Sequence, residues 1–270
     1  MGGPVDTGGR AAVALRCDHG LAPFRDKVLP LARAARWRIS QAYNPRNWHY
    51  AENHGVTPAD LNTWVASGDV EVWNHSATHG PASRKVELLD EIFGGLREIE
   101  DQLPAARGQV WGWNPPGLAP GNYGGFDGGR TAASWATPAG RLILRHHAVA
   151  SGMLHGTHLQ VLDGTVRIGL ARWQIDSRPV PETLRMIDRA VLERRGLQLM
   201  LHPAELDRPG RLTEEGLRRV VRHILRRRRQ GLLITVSPYQ LTLADATRGP
   251  RASRVARLRR RRIRRRLSEG

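Results

Sequence analysis

Three short polar clusters in this chain combine residue types that handle protons and metals. They are Asp18-His19-Gly20, Asn74-His75-Ser76-Ala77-Thr78-His79, and His202-Pro203. His75 and His79 stand four apart. On a helical turn that spacing puts both imidazoles on one face, which suits a divalent cation. A capping or loop-lining role is the competing reading of the pair, and an ordinary turn is the competing reading of Asp18-His19-Gly20. A cation held by three protein groups, with one position open, polarises an acyl oxygen and activates water. A nearby carboxylate then takes the water's proton, and a facing histidine gives one to a leaving amine.

Each cluster follows an apolar, strand-like run. Residues 11–16, 38–43, 70–73, 109–113, 142–144, 166–171, 197–201 and 232–236 read as strands. Helices are expected over 24–37, with Pro30 kinking or dividing it, and over 57–68, with Thr57 as N-cap and Pro58 in the first position. Further helices are expected over 86–103, 181–194 and 213–229. The alternation of strand and helix predicts an α/β protein whose parallel sheet is covered by helices and closes, fully or partly, into a barrel. In such a barrel the carboxyl ends of all strands share one mouth, so the three clusters meet there. The Gly- and Pro-rich stretch 114–140 reads as a long excursion, and Tyr123-Gly124-Gly125-Phe126 within it as a surface loop or lid.

The motifs resemble those of the polysaccharide deacetylases, carbohydrate esterase family 4. They are Asp18-His19-Gly20 after the first strand, His75-Ser76-Ala77-Thr78-His79 after the third, and Met200-Leu201-His202 late in the chain. The resemblance runs from about Val13 to Leu243. It implies a distorted (β/α) barrel of about seven to eight strands and removal of acetyl groups from N-acetylated sugars with a divalent metal, usually Zn2+. It makes Asp18 the catalytic base, His75 and His79 metal ligands, and His202 the acid. His19 stands where the family has a metal-binding Asp, so the implied ligand set becomes His19, His75 and His79, which neutral imidazoles can supply. The family's Arg-x-Pro motif is here Trp113-Asn114-Pro115-Pro116-Gly117, without the Arg that positions the base. Arg16 is a candidate replacement whose direction the sequence leaves open. Gly117 offers a backbone N–H to a developing oxyanion. In Arg172-Trp173-Gln174-Ile175-Asp176, Asp176 is either the group that orients His202 or a helix-entry residue. Trp113, Asn114, Gly117 and Trp173 are the candidate substrate-binding residues, with indoles available to stack on sugar rings. The variant also resembles deacetylase-like domains encoded by phages and prophages.

The chain's 270 residues carry 42 Lys and Arg against 25 Asp and Glu, a formal charge of +17. Eleven Arg and a single acid, Glu269, fall between Arg248 and Gly270. The sequence divides into a flexible segment 1–10, a barrel over 11–247, and a basic tail 248–270 expected to be disordered unless an anionic polymer binds it. The lone Cys17 excludes an internal disulfide framework. No apolar run is long enough for a membrane span, and the first residues do not read as a signal peptide. The expected location is cytoplasmic, or released or virion-associated if phage-encoded. His146-His147 and His155–His158 are read as polar loop residues rather than a second metal site. Two alternatives to a hydrolase remain open: a catalytically impaired glycan-binding or structural domain, and a basic nucleic-acid-associated protein.

Overall fold

The computed structural model describes residues 4–152 and 157–247, together with Ile263 and Leu267. The strands, in chain order, are β1 (Val5–Asp6), β2 (Ala11–Asp18), β3 (Ile39–Tyr43), β4 (Val70–Asn74), β5 (Gly112–Trp113), β6 (Val149–Ser151), β7 (Leu159–Gln160), β8 (Ile168–Leu170), β9 (Trp173–Gln174), β10 (Gly196–Leu201), β11 (Leu233–Thr235) and β12 (Ala244–Asp245). Among the described residues the main sheet runs β7-β10-β2-β3-β4-β5-β6-β8, with β9 beside β10 and β11 beside the start of β2. Apart from β7, which is antiparallel to β10, every pairing in it is parallel. The sheet is a nearly closed barrel, the α/β architecture expected, and its strand carboxyl ends open on one rim.

Strand alternation sorts the side chains. On β2, Ala11, Val13, Leu15 and Cys17 join the large core shared with the helices. Ala12 and Ala14 pack with Trp73 in a second, inner cluster. A period of two therefore sends Arg16 and Asp18 to the inner side as well, at the mouth. The outer helices bury apolar faces against the sheet, among them Ile187 and Val191 from Val180–Glu193 and Leu217, Val220 and Ile224 from Glu214–Arg229. The helix Pro58–Ala66 starts as expected: Thr57 and Asp60 form a capping box. The segment before Pro30 takes a π turn at Phe24–Val28 and then continues as Leu29–Ala34, so the proline is absorbed without a break.

Two expectations are corrected, those for 142–144 and 123–126, and described residues also fall in the two terminal segments. Residues 142–144 lie in a helix, Pro138–His146, whose start repeats the Thr–Pro device seen at 57: the Gly140 N–H donates to Thr137 Oγ1 at 3.1 Å. The segment 1–10 is held from Val5 onward, because β1 pairs in parallel with β12. Tyr123 and Phe126 form no lid; both are buried with Trp113 and Trp135 in a third core cluster. In the tail, Ile263 is helical and buried in the main core, and Leu267 packs against it. The rest of 248–270 lies outside the described residues. No described helix is long and apolar enough to cross a membrane.

Candidate active site

Asp18 ends β2, and the next residue, His19, turns sharply with φ 56°. Ser76 and His79 likewise hold positive φ, 70° and 62°. Side chains rarely adopt this region, so strain is concentrated where the two clusters meet. Gly20 lets them meet a third element: a Cβ there would lie 2.7 Å from the Ala204 nitrogen, in the turn that follows His202.

The loop after β4 is braced from both sides. His75 donates through Nδ1 to the Asn114 carbonyl (2.9 Å), which leaves the Nε2 lone pair facing the mouth. Asn44 donates from its amide to the His75 and Ser76 carbonyls, and Asn47 to the Thr78 carbonyl at 3.0 Å. From below, the buried Glu91 accepts from the Thr78 N–H at 3.0 Å and from Thr78 Oγ1 at 2.6 Å. The helix carrying Glu91 comes this close because of Gly95, where a Cβ would sit 2.8 Å from the Ala77 nitrogen. Asn44, Asn47 and Glu91 are not among the site residues expected from the sequence. The polar run Asn44-Pro45-Arg46-Asn47 at a strand end was the available signal, whereas Glu91 carried none.

The three imidazoles converge. His19 Nε2 and His75 Nε2 are 3.3 Å apart, and one ligand atom from each of His19, His75 and His79 lies within 4.8 Å of the others. Ligands at about 2.0–2.1 Å around a tetrahedral zinc are separated by about 3.3–3.4 Å. Burial lowers the pKa of all three rings, His79 to about 4. They are therefore neutral near pH 7, the state a metal ligand requires. This donor set fits a divalent cation. It is the only such group among the described residues; His146, His147 and His158 do not form a second one, and His155 lies outside the described residues.

Beside it, the direction of Arg16 is settled. The guanidinium grips Asp18 with two hydrogen bonds, Nε to Oδ1 at 2.6 Å and Nη2 to Oδ2, and both residues are only 2% exposed. Burial alone raises a carboxyl pKa, but the adjacent Arg16, helped by His75 and His202, outweighs it and holds Asp18 well below the usual carboxylate range. An arginine within β2 thus holds the Asp18 carboxylate.

Opposite, Asp176 is buried and accepts from the His202 main-chain N–H at 2.8 Å, from His202 Nδ1 at 2.6 Å and from Gln174 Nε2 at 2.8 Å. These bonds hold His202, and Asp176 is not a helix-entry residue: the N-cap position of the helix Val180–Glu193 is Pro179. Burial lowers the His202 pKa, but the hydrogen bond to Asp176 and the charge of Asp18 overcome this and leave it raised. The His202 ring stacks 6.0 Å from that of His19, and both line a cavity of about 250 Å³ with Glu52, Gln174, Asp176, Ala204, Glu205 and Arg211.

The four candidate substrate-binding residues fare differently. Trp113 is fully buried in the third core cluster and offers no face to a sugar. Trp173 is 8% exposed and covered by the Arg178 guanidinium, 3.9 Å from the ring centroid. Asn114 acts through its carbonyl on His75. Gly117 is exposed at φ 72° with open space around it.

No protein-family model and no curated protein matches the sequence. Solved structures do. A mutant of a carbohydrate esterase family 4 pseudoenzyme, with enzymatic activity restored, superposes with a TM-score of 0.51 at 17% identity, over 87% of this chain and 68% of that one. This chain has the fold of the family 4 carbohydrate esterases. The family 4 esterase from Streptomyces lividans, in complex with acetate, gives a TM-score of 0.48 at 17% identity over 83% of this chain and 91% of that one. A family 4 acetyl xylan esterase from Clostridium thermocellum, in complex with a cobalt ion, gives 0.49 at 16% identity over 85% and 89%.

Proposed function

We propose that this protein is a metal-dependent hydrolase that removes N-acetyl groups from a glycan, peptidoglycan or a related bacterial polysaccharide, with zinc as its cation. The observation that carries this reading is the convergence of His19, His75 and His79 between Asp18, gripped by Arg16, and His202, gripped by Asp176. A divalent cation held by the three imidazoles supplies Lewis-acid polarisation of the acyl oxygen and of a water. Asp18, kept ionised by Arg16, accepts the proton of the attacking water. His202, with Nδ1–H fixed on Asp176, turns Nε2 to the cavity and delivers a proton to the leaving amine nitrogen. The Gly117 N–H is the candidate donor to the oxyanion. The Arg-rich segment 248–270 would concentrate the protein on an anionic polymer, an attraction that salt weakens.

The test is reconstitution with zinc, metal analysis, and acetate release from N-acetylated oligosaccharides. The expected result is close to one ion per chain, hydrolysis by the native protein, and no hydrolysis by Asp18→Asn, which keeps its metal. A protein that takes up no ion removes the hydrolase reading. A protein that binds zinc and glycan but releases no acetate is instead a glycan-binding domain on the same fold.

A further inference from the structure

Glu52 is a charged group at the cavity mouth to which the reaction above gives no task. It lies in the short 3-10 turn Ala51–Asn53 that follows β3. It lines the cavity that holds His19 and His202, and with Ala204 it also lines an adjoining space of about 590 Å³ bounded by Pro23, His49, Tyr50, Ala51 and Arg208. The two spaces therefore form one groove, with Glu52 at the junction. No described residue donates a hydrogen bond to the half-buried Glu52 carboxylate or pairs with its charge. The cations nearby are committed elsewhere: Arg208 Nη1 and Arg211 Nε both bind Glu205, at 2.8 and 3.0 Å. Tyr50 is 41% exposed beside it, its ring held edge-on to His49 at 4.7 Å.

The chain is strongly basic, yet the walls of this groove set three carboxylates, Glu52, Asp176 and Glu205, against two guanidiniums, Arg208 and Arg211. An unpaired carboxylate beside an open aromatic ring, in a groove with no excess of guanidiniums over carboxylates, is suited to accept hydroxyl hydrogen bonds from an uncharged sugar and to repel an acidic one. Resting on the hydrolase reading of the site, we propose that Glu52 is a specificity-determining residue. It binds hydroxyls of a neutral sugar unit adjoining the one being deacetylated and excludes a unit bearing a carboxylate.

The test is a ligand-observed NMR titration of the zinc-loaded full chain with two disaccharides: N,N′-diacetylchitobiose, and N-acetylglucosamine linked to glucuronate. The native protein is expected to prefer the neutral disaccharide by about tenfold, the effect of one close charge at an effective dielectric well above that of dry protein. Glu52→Gln should collapse that ratio toward one, mainly by improving the acidic ligand, and Glu52→Ala should weaken the neutral one. Unchanged thermal unfolding would show that both variants fold. A native protein without the preference, or a ratio unmoved by Glu52→Gln, overturns the proposal. If acetate is released while the ratio stays fixed, only this inference fails. If neither disaccharide binds and no acetate is released, the reading of the site fails with it.

Discussion

Replacing Asp176 by Asn keeps the shape of the side chain and removes its charge. In the native site three donors converge on the carboxylate: the His202 main-chain N–H, His202 Nδ1–H and the Gln174 amide. An amide must turn its NH2 either toward the main-chain N–H on one side or toward His202 Nδ1 and the Gln174 amide on the other, so a donor meets a donor. The response that disturbs the backbone least is for Nδ1 of His202 to give up its proton and accept from the new NH2. The imidazole's single proton then sits on Nε2, and adding the second proton needed for an acid restores the clash. The lost bond is charge-assisted and worth about 1.5–3 kcal/mol, a factor of about 10 to 150 in rate. The assay is acetate release against pH. At pH 8 kcat should fall by that factor, and the basic limb of the profile should move toward acid. Stability carries the same signature. The native His202 pKa is raised above 6.5, so its contribution is fully present below 6.5 and lost as pH rises through the folded value. The native–variant difference in urea unfolding is therefore largest on the acid side and narrows as pH rises. An unchanged kcat at pH 8 with an unmoved basic limb would refute the assignment of His202 as an acid held by Asp176.

Arg16→Met leaves the buried Asp18 without its counter-charge and should cost about 3–5 kcal/mol in urea unfolding together with acetate release; a loss below 1 kcal/mol would show the pair to be unimportant. Gly95→Ala forces the helix off Ala77 and should cost about 1–3 kcal/mol. It should also weaken zinc binding, measured by chelator competition, because the loop 75–79 moves; unaltered affinity would separate that contact from the site. In the metal-stripped protein, the buried His147 has its pKa lowered to about 4 by burial. The unfolded chain binds this proton first, so stability should decline as pH falls from 6.5 toward 4, by up to about 3 kcal/mol from this ring. His147→Gln should flatten that decline in a thermal-unfolding series, and an identical slope would count against it.

The residues that meet at the mouth were readable because they sit in short, ordered motifs at strand ends. Asp18, His19, His75, His79 and His202 each follow an apolar run, and a parallel barrel brings such ends to one rim. The bracing was not readable, since Glu91 lies on a helix and acts through Thr78, and nothing in its neighbourhood of the sequence marks it. The two indoles misled for a related reason. Trp113 and Trp173 fall close to the mouth along the chain, but strand alternation and the helix after 180 cover them.

Residue types and spacing alone indicated most of the strand–helix order, the barrel, and the three histidines able to hold a metal. Those properties are local, carried by hydrophobic period, caps and motif. Only the tertiary structure decided which way Arg16 points, that Asp176 holds His202, that residues 142–144 are helical, and that Glu52 stands unpaired in the groove. Each of these depends on what a side chain meets from an element distant in sequence, and pairing, burial and charge compensation are set there.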